Sequence, residues 1–181
     1  MPLSDPAPRE LLHLRDIELR GFRRQDGLFD IEAVLTDTKT YAFQNHDRGE
    51  IHPGTPLHRM LARMTLDANM VIQRFEADTE FGPFAACPQA APNFSLLAGL
   101  VVGRGFLKAA NERVGGIMGC THLRELLGQM GTVAFQTMVA VRATKGTARA
   151  GARPALLDSC LAYQDGGPAA RRMWPERYEG S

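Results

Sequence analysis

Apolar and polar residues alternate with period two through the first half of the chain and recur near every 3.6 residues in the second. That switch separates a sheet-forming part from a helix-forming part. Over 14–24, Ile17 and Leu19 alternate with Asp16, Glu18 and Arg20. Over 28–35, Phe29, Ile31, Ala33 and Leu35 alternate with Leu28, Asp30, Glu32 and Val34. Gln25-Asp26-Gly27 lies between the two arms, and Asp-Gly flanked by alternating apolar residues predicts a β-hairpin. One apolar face and one charged face predict an antiparallel sheet covered on a single side. Residues 44–56 are rich in turn formers and read as a loop, which leaves His46 and His52 in solvent. A third strand is predicted over 57–66, where His58, Met60, Ala62 and Met64 alternate with Leu57, Arg59, Leu61 and Arg63. This places His58 on the methionine face. Asp67-Ala68-Asn69 forms a turn, and a fourth strand occupies 70–77.

Phe81-Gly82-Pro83-Phe84 ends the sheet and delivers Cys87-Pro88. Pro83, Pro88 and Pro92 restrict this region to a loop, or to a helix beginning after Pro92. Residues 94–113 read as one helix or as two, broken around 103–105. The central element lies within 114–141: Gly115, Gly116 and Gly119 approach a helix with Thr121 as its predicted N-cap. Leu123, Leu126, Leu127, Met130, Ala134, Thr137 and Met138 then line one face, with His122, Glu125, Gln129 and Gln136 beside it. The expected fold is α+β, a four-stranded mostly antiparallel sheet from the N-terminal half packed against two or three helices from the C-terminal half. It is expected as a single domain over 1–181, with a flexible lead-in at 1–12 and a basic Gly/Ala-rich surface loop at 143–155. Trp174 and Tyr178 are expected to pin the tail onto a core.

Composition narrows the function classes. With 21 Lys+Arg against 20 Asp+Glu the chain is nearly neutral, so no basic field argues for nucleic acid. The longest apolar run, within 94–103, is too short to span a bilayer. The polar, Pro-rich first ten residues are unlike a secretory signal. Three scattered cysteines do not make a disulfide framework. The expectation is a cytoplasmic protein acting on a small molecule, without nucleic acid or membrane, and with a homo-oligomer left open.

The candidate chemistry starts at Cys120-Thr121-His122. Cys-x-His at a helix start can chelate a borderline metal, zinc or iron. Cys87, His58 and Cys160 are the candidate completions of such a site. The second reading is a reactive thiol, since an imidazole and a helix N-terminus both favour the thiolate. The plain alternative is a small buried Cys120 beside a capping or surface His122. Asp37 and Lys39, two apart on a strand, share one side of the sheet as an acid/base pair or as part of a cross-strand ion pair. Glu125, one turn beyond His122, could carry a proton or orient His122. Arg20, Arg23 and Arg24 either hold a substrate carboxylate or pair with Asp30 and Glu32 on a wet face.

Several stretches together resemble one bacterial family, catalogued as a domain of unknown function, DUF2889. They include 21–32 (GFRRQDGLFDIE), 35–39 (LTDTK), 56–60 (PLHRM) with Leu66-Asp67, Ala134-Phe135-Gln136, Asp158-Ser159-Cys160-Leu161-Ala162 and Trp174-Pro175. The most specific is Gly119-Cys120-Thr121-His122-Leu123 with Glu125-Leu126-Leu127. The resemblance covers about 14 to 178. It implies that His58, Cys87, Cys120, His122, Asp37 and Lys39 form one shared site. Leu161 stands where family members often carry a histidine.

Overall fold

The computed structural model describes residues 3–144, 154 and 156–179. The chain divides into two compact units, Met1–Val141 and Arg142–Ser181. In the first, strands β1 (His13–Arg23) and β2 (Phe29–Lys39) form the predicted hairpin. The Arg24 amide donates to the Leu28 carbonyl at 2.9 Å, and Gly27 turns the chain at φ 84°, a conformation open to glycine at no steric cost. Strands β5 (His58–Leu66) and β6 (Ile72–Phe81) complete an all-antiparallel sheet of order β1-β2-β5-β6. The strand predicted over 70–77 starts later and runs further.

The stretch 44–56, expected as a loop, contains a small hairpin of β3 (Phe43–Asn45) and β4 (Gly49–Ile51). Its turn formers are the turn: Asn45 Oδ1 accepts the amides of Asp47 and Arg48, both at 3.1 Å. Arg48 then donates to the carbonyls of Pro56 and Leu57 and ties the hairpin to the start of β5.

The inner face of the sheet buries Phe29, Ile31, Ala33 and Leu35 from β2 and Met60, Ala62, Met64 and Leu66 from β5. It is covered by a 3₁₀ helix, Cys87–Leu97, and by α1 (Phe106–Val114) and α2 (Thr121–Thr144). In the first of these Pro88 fits at the start without cost, but Pro92 lies inside and lacks the amide an α-helix there would use, which favours the 3₁₀ form. Leu123, Leu126, Leu127, Met130, Ala134 and Met138 of α2 are buried in the same core, as their spacing predicts. The break at 103–105 is real, with Gly105 at φ 83° before α1. β1 and α2 approach so closely at Gly21 that a Cβ there would overlap the Thr137 side chain. The outer face carries ion pairs such as Arg63–Glu32 at 2.7 Å and Arg59–Glu80 at 2.5 Å.

The second unit contains the 3₁₀ turns Leu161–Tyr163 and Pro175–Arg177 and α3 (Pro168–Met173). Trp174 packs on Tyr163 with ring centroids 5.8 Å apart. The Tyr178 hydroxyl donates to Asp165 at 2.6 Å. Both aromatics thus tie this unit to itself. Most of the expected basic loop 143–155 lies outside the described residues. No helix among the described residues is long and apolar enough to cross a membrane.

Candidate active site

Hairpin register builds the first half of the site. Arg15 stands directly opposite Asp37 across β1 and β2, and Asp37 directly opposite His58 across β2 and β5. The three form one row at the end of the inner face, in line with the buried apolar rows before it. Asp37 is 1% exposed. Arg15 holds both its oxygens, Nε to Oδ1 and Nη2 to Oδ2, each at 2.7 Å. His13 Nε2 lies 3.2 Å from Oδ1 and His58 Nδ1 lies 3.0 Å from Oδ2. Burial pushes the Asp37 carboxyl upward, but the Arg15 guanidinium outweighs it and holds the group below the usual carboxylate range. An ionised carboxylate only accepts, so His58 donates from Nδ1 and keeps a lone pair on Nε2. Burial and the nearby His122 push His58 below its ordinary value, against the pull of Asp37.

The first turn of α2 supplies the second half. The predicted cap at Thr121 moves back one residue: Thr121 is the first helical residue, and Cys120 is the cap. Its carbonyl accepts the Arg124 amide at 3.0 Å, and the backbone amides of Leu123 and His122 beside its thiol favour the thiolate. The missing side chain of Gly119 permits this, since a Cβ there would overlap the Val114 carbonyl. Half-buried Cys120 has its Sγ 3.8 Å from His122 Nδ1. Burial raises the thiol pKa, but the His122 ring and the two amides lower it further, so the net shift is downward. The other nitrogen of His122, Nε2, lies 3.9 Å from Asp37 Oδ2, and its ring stacks on His58 with centroids 3.8 Å apart.

Of these residues His58, Cys120 and His122 border a cleft of about 700 Å³, which Cys87 also lines. Cys87 reaches it at the start of the 3₁₀ helix, where it packs so tightly on Gly82 that a Cβ there would sit 2.9 Å from Sγ. All four residues singled out as metal ligands from distant parts of the sequence therefore line the same cleft, although among the described residues no three such donors that include a cysteine lie within 4.8 Å of one another. Two donor sets are available. Asp37, His58 and His122 offer ligand atoms within 4.8 Å of one another, but Arg15 already occupies both Asp37 oxygens. A cation there would face a guanidinium. The Cys120–His122 pair has no such neighbour. Zinc bonds of about 2.3 Å to sulfur and about 2.05 Å to nitrogen, at a tetrahedral angle, set two donors about 3.6 Å apart, close to the 3.8 Å observed.

The remaining candidates fall elsewhere. Glu125 is at the site's edge and accepts from Arg15 Nη1 at 2.6 Å. Lys39 Nζ lies 5.7 Å over the Tyr41 ring, at the end of the sheet. Arg20 pairs with Glu18 on the outer face at 2.5 Å. His46 and His52 are exposed as expected. Cys160 is exposed in the second unit, at the cap of Leu161–Tyr163. Arg15 and His13 were missed by sequence reasoning. The signal was present, because each sits on the inward-facing parity of β1 at a distance from the turn that mirrors Asp37 and Lys39.

The family model described as Protein of unknown function (DUF2889) matches residues 13–136, from β1 into α2. That span contains the whole Asp37 row and every residue of the cleft, while the tail stretches around Cys160 and Trp174 fall outside it. No curated protein and no solved structure matches the chain.

Proposed function

Since the chain belongs to the DUF2889 family, whose description names no activity, we propose from the cleft that it is a small-molecule enzyme with a zinc or iron centre. Cys120 and His122 supply the first two ligands, and His58 or Cys87, from facing segments, supplies a third, leaving the fourth position open to water or substrate. The observation that carries this reading is the 3.8 Å separation of Cys120 Sγ and His122 Nδ1 on the cleft wall. A carboxylate bonded to the distal nitrogen of a histidine ligand is the usual support of such a centre, and Asp37 stands in that relation to His58. The metal would act as a Lewis acid or activate water. Asp37 and Glu125, both bonded to Arg15, then act as positioning residues. The half-buried donors beside a roomy cleft favour an enzyme over a metal carrier, which would present an exposed thiol-rich site. Three free cysteines fit a reducing, cytoplasmic setting.

The test is elemental analysis of anaerobically purified protein beside the Cys120→Ala/His122→Ala variant. Near-stoichiometric zinc or iron in the parent and none in the folded variant is expected; no metal in either would sink the proposal. A second reading rests on the Cys120 cap: thiol, His122 and Asp37 form a series suited to nucleophilic attack without metal. It predicts a metal-free protein in which chelators change nothing and alkylation of Cys120 abolishes turnover.

A further inference from the structure

The cleft beside the thiol–imidazole pair has a charge pattern unlike the rest of the chain. Asp, Glu, Lys and Arg make up 23% of the residues, yet none lines it. The ionisable groups on its walls are two imidazoles and two thiols. Away from them the walls carry the apolar Met60, Pro83, Phe84 and Ile117 together with the uncharged polar Gln89, Asn93 and Thr121. Phe84 is 57% exposed and Ile117 fully exposed. They come from separate segments, the turn after β6 and the 3₁₀ turn Gly116–Met118. Apolar groups lining a concave wall beside a few convergent polar groups are the usual pattern of a small-molecule site. The walls are also fixed to each other, because Asn93 Nδ2 of the Cys87–Leu97 helix donates to the Met118 carbonyl at 2.8 Å.

Building on the metal-site reading, we infer that the substrate is an uncharged aryl or alkyl compound with a single oxygen-donor head group. The head meets Cys120 and His122, and the body lies between Phe84 and Ile117. A carboxylate or phosphate on the body would find no cation on these walls, and an ammonium no carboxylate, only the neutral amides of Gln89 and Asn93 and the Thr121 hydroxyl. Desolvating a charge against neutral partners alone disfavours it, whereas an apolar body gains by covering Phe84 and Ile117.

The test is ligand-observed NMR on the full chain, with benzamide and acetamide as probes of the body and benzohydroxamic acid as a probe of the head. Benzamide should bind at least about tenfold more tightly than acetamide through burial of its ring. Phe84→Ser/Ile117→Ser should remove that advantage, as should a carboxylate at the ring's para position. Ile117→Ser alone, at a wholly exposed position, should lower it in part. Equal binding of the two amides, or an advantage that survives in the double variant, overturns the inference. The metal reading is read separately: benzohydroxamic acid should exceed benzamide in the parent protein and lose that margin in Cys120→Ala/His122→Ala. If the margin persists there, the metal assignment falls while the amide comparison still decides the body.

Discussion

Arg15 and Asp37 are register partners, equidistant from the hairpin turn, and the guanidinium grips both carboxylate oxygens at 2.7 Å. The carboxylate is almost fully buried, so this pair is a condition for placing it at the end of the core rather than a surface ornament. Arg15→Ala should cost about 3 kcal/mol of folding stability, the lower end for breaking a buried pair because Arg15 itself is partly exposed. Urea denaturation at pH 7 measures it. A loss near that of a surface pair, below about 1 kcal/mol, would show that Asp37 is held by His13 and His58 instead.

Acid should unfold the metal-free protein in two limbs. Asp37 has a folded pKa below its unfolded one, so its contribution is complete above about pH 4 and lost as pH falls through the lowered value. His58 is also lowered, so the unfolded chain binds its proton first and stability declines below about pH 6.5. Asp37→Asn should shrink the lower limb, which it shares with the likewise lowered Asp26 and Asp165, and His58→Gln should remove the upper one in denaturation midpoints taken from pH 3 to 8. A wild-type midpoint that rises on acidification from pH 7 to 6 would contradict the His58 assignment.

Cys120 should be the fast thiol. With its pKa lowered by the His122 ring and two helix amides, iodoacetamide at pH 7 should modify it several-fold faster in metal-free protein than in His122→Ala. The difference should shrink by pH 9, where both thiols ionise. Peptide mapping by mass spectrometry reads the site. Added zinc should protect it; labelling indifferent to zinc would separate the thiol from any metal.

Metal affinity should depend on a residue that need not touch the ion. Asp37→Asn keeps the shape but weakens the hold on His58 Nδ1, and should lower zinc affinity about 10–100-fold without abolishing binding. Competition with a chromophoric chelator at pH 7.5 measures it. Complete loss of binding would instead make Asp37 a direct ligand.

Gly21→Ala should destabilise by about 1–3 kcal/mol, because the added methyl overlaps the Thr137 side chain. Thr137→Ala in the same chain should recover part of that, since it removes Oγ1 and Cγ2 but leaves Cβ close. No effect of Gly21→Ala would mean that β1 and α2 do not approach closely at this point.

The sheet was legible because its signal is local. Alternation at Phe29, Ile31, Ala33 and Leu35 and the Asp26-Gly27 turn specify faces and register with no knowledge of the remainder. The same register, carried to the end of the hairpin, would have placed Arg15 on Asp37; reading Asp37 only with Lys39, along the strand, missed the partner across it. The Asp37–His58 contact was not legible in this way. It depends on how the hairpin within 44–56 spans from β2 to β5, and turn formers alone do not show whether such a stretch folds on itself. The cap was misplaced by one residue because Thr is the better cap by type, while the geometry was decided by Gly119, which carries no side chain. The convergence of Cys87 on Cys120 needed Pro-rich backbone to fold as 3₁₀ turns, which periodicity at 3.6 does not detect.

The amides beside the Cys120 thiol belong to a helix whose Leu123 and Leu126 side chains are fully buried in the core. The thiol's reactivity is therefore a clock for assembly. A millisecond pulse of alkylating agent during refolding would stamp each molecule by whether the first turn of α2 had already formed. The same atom that marks the chemistry would date the building of its own support.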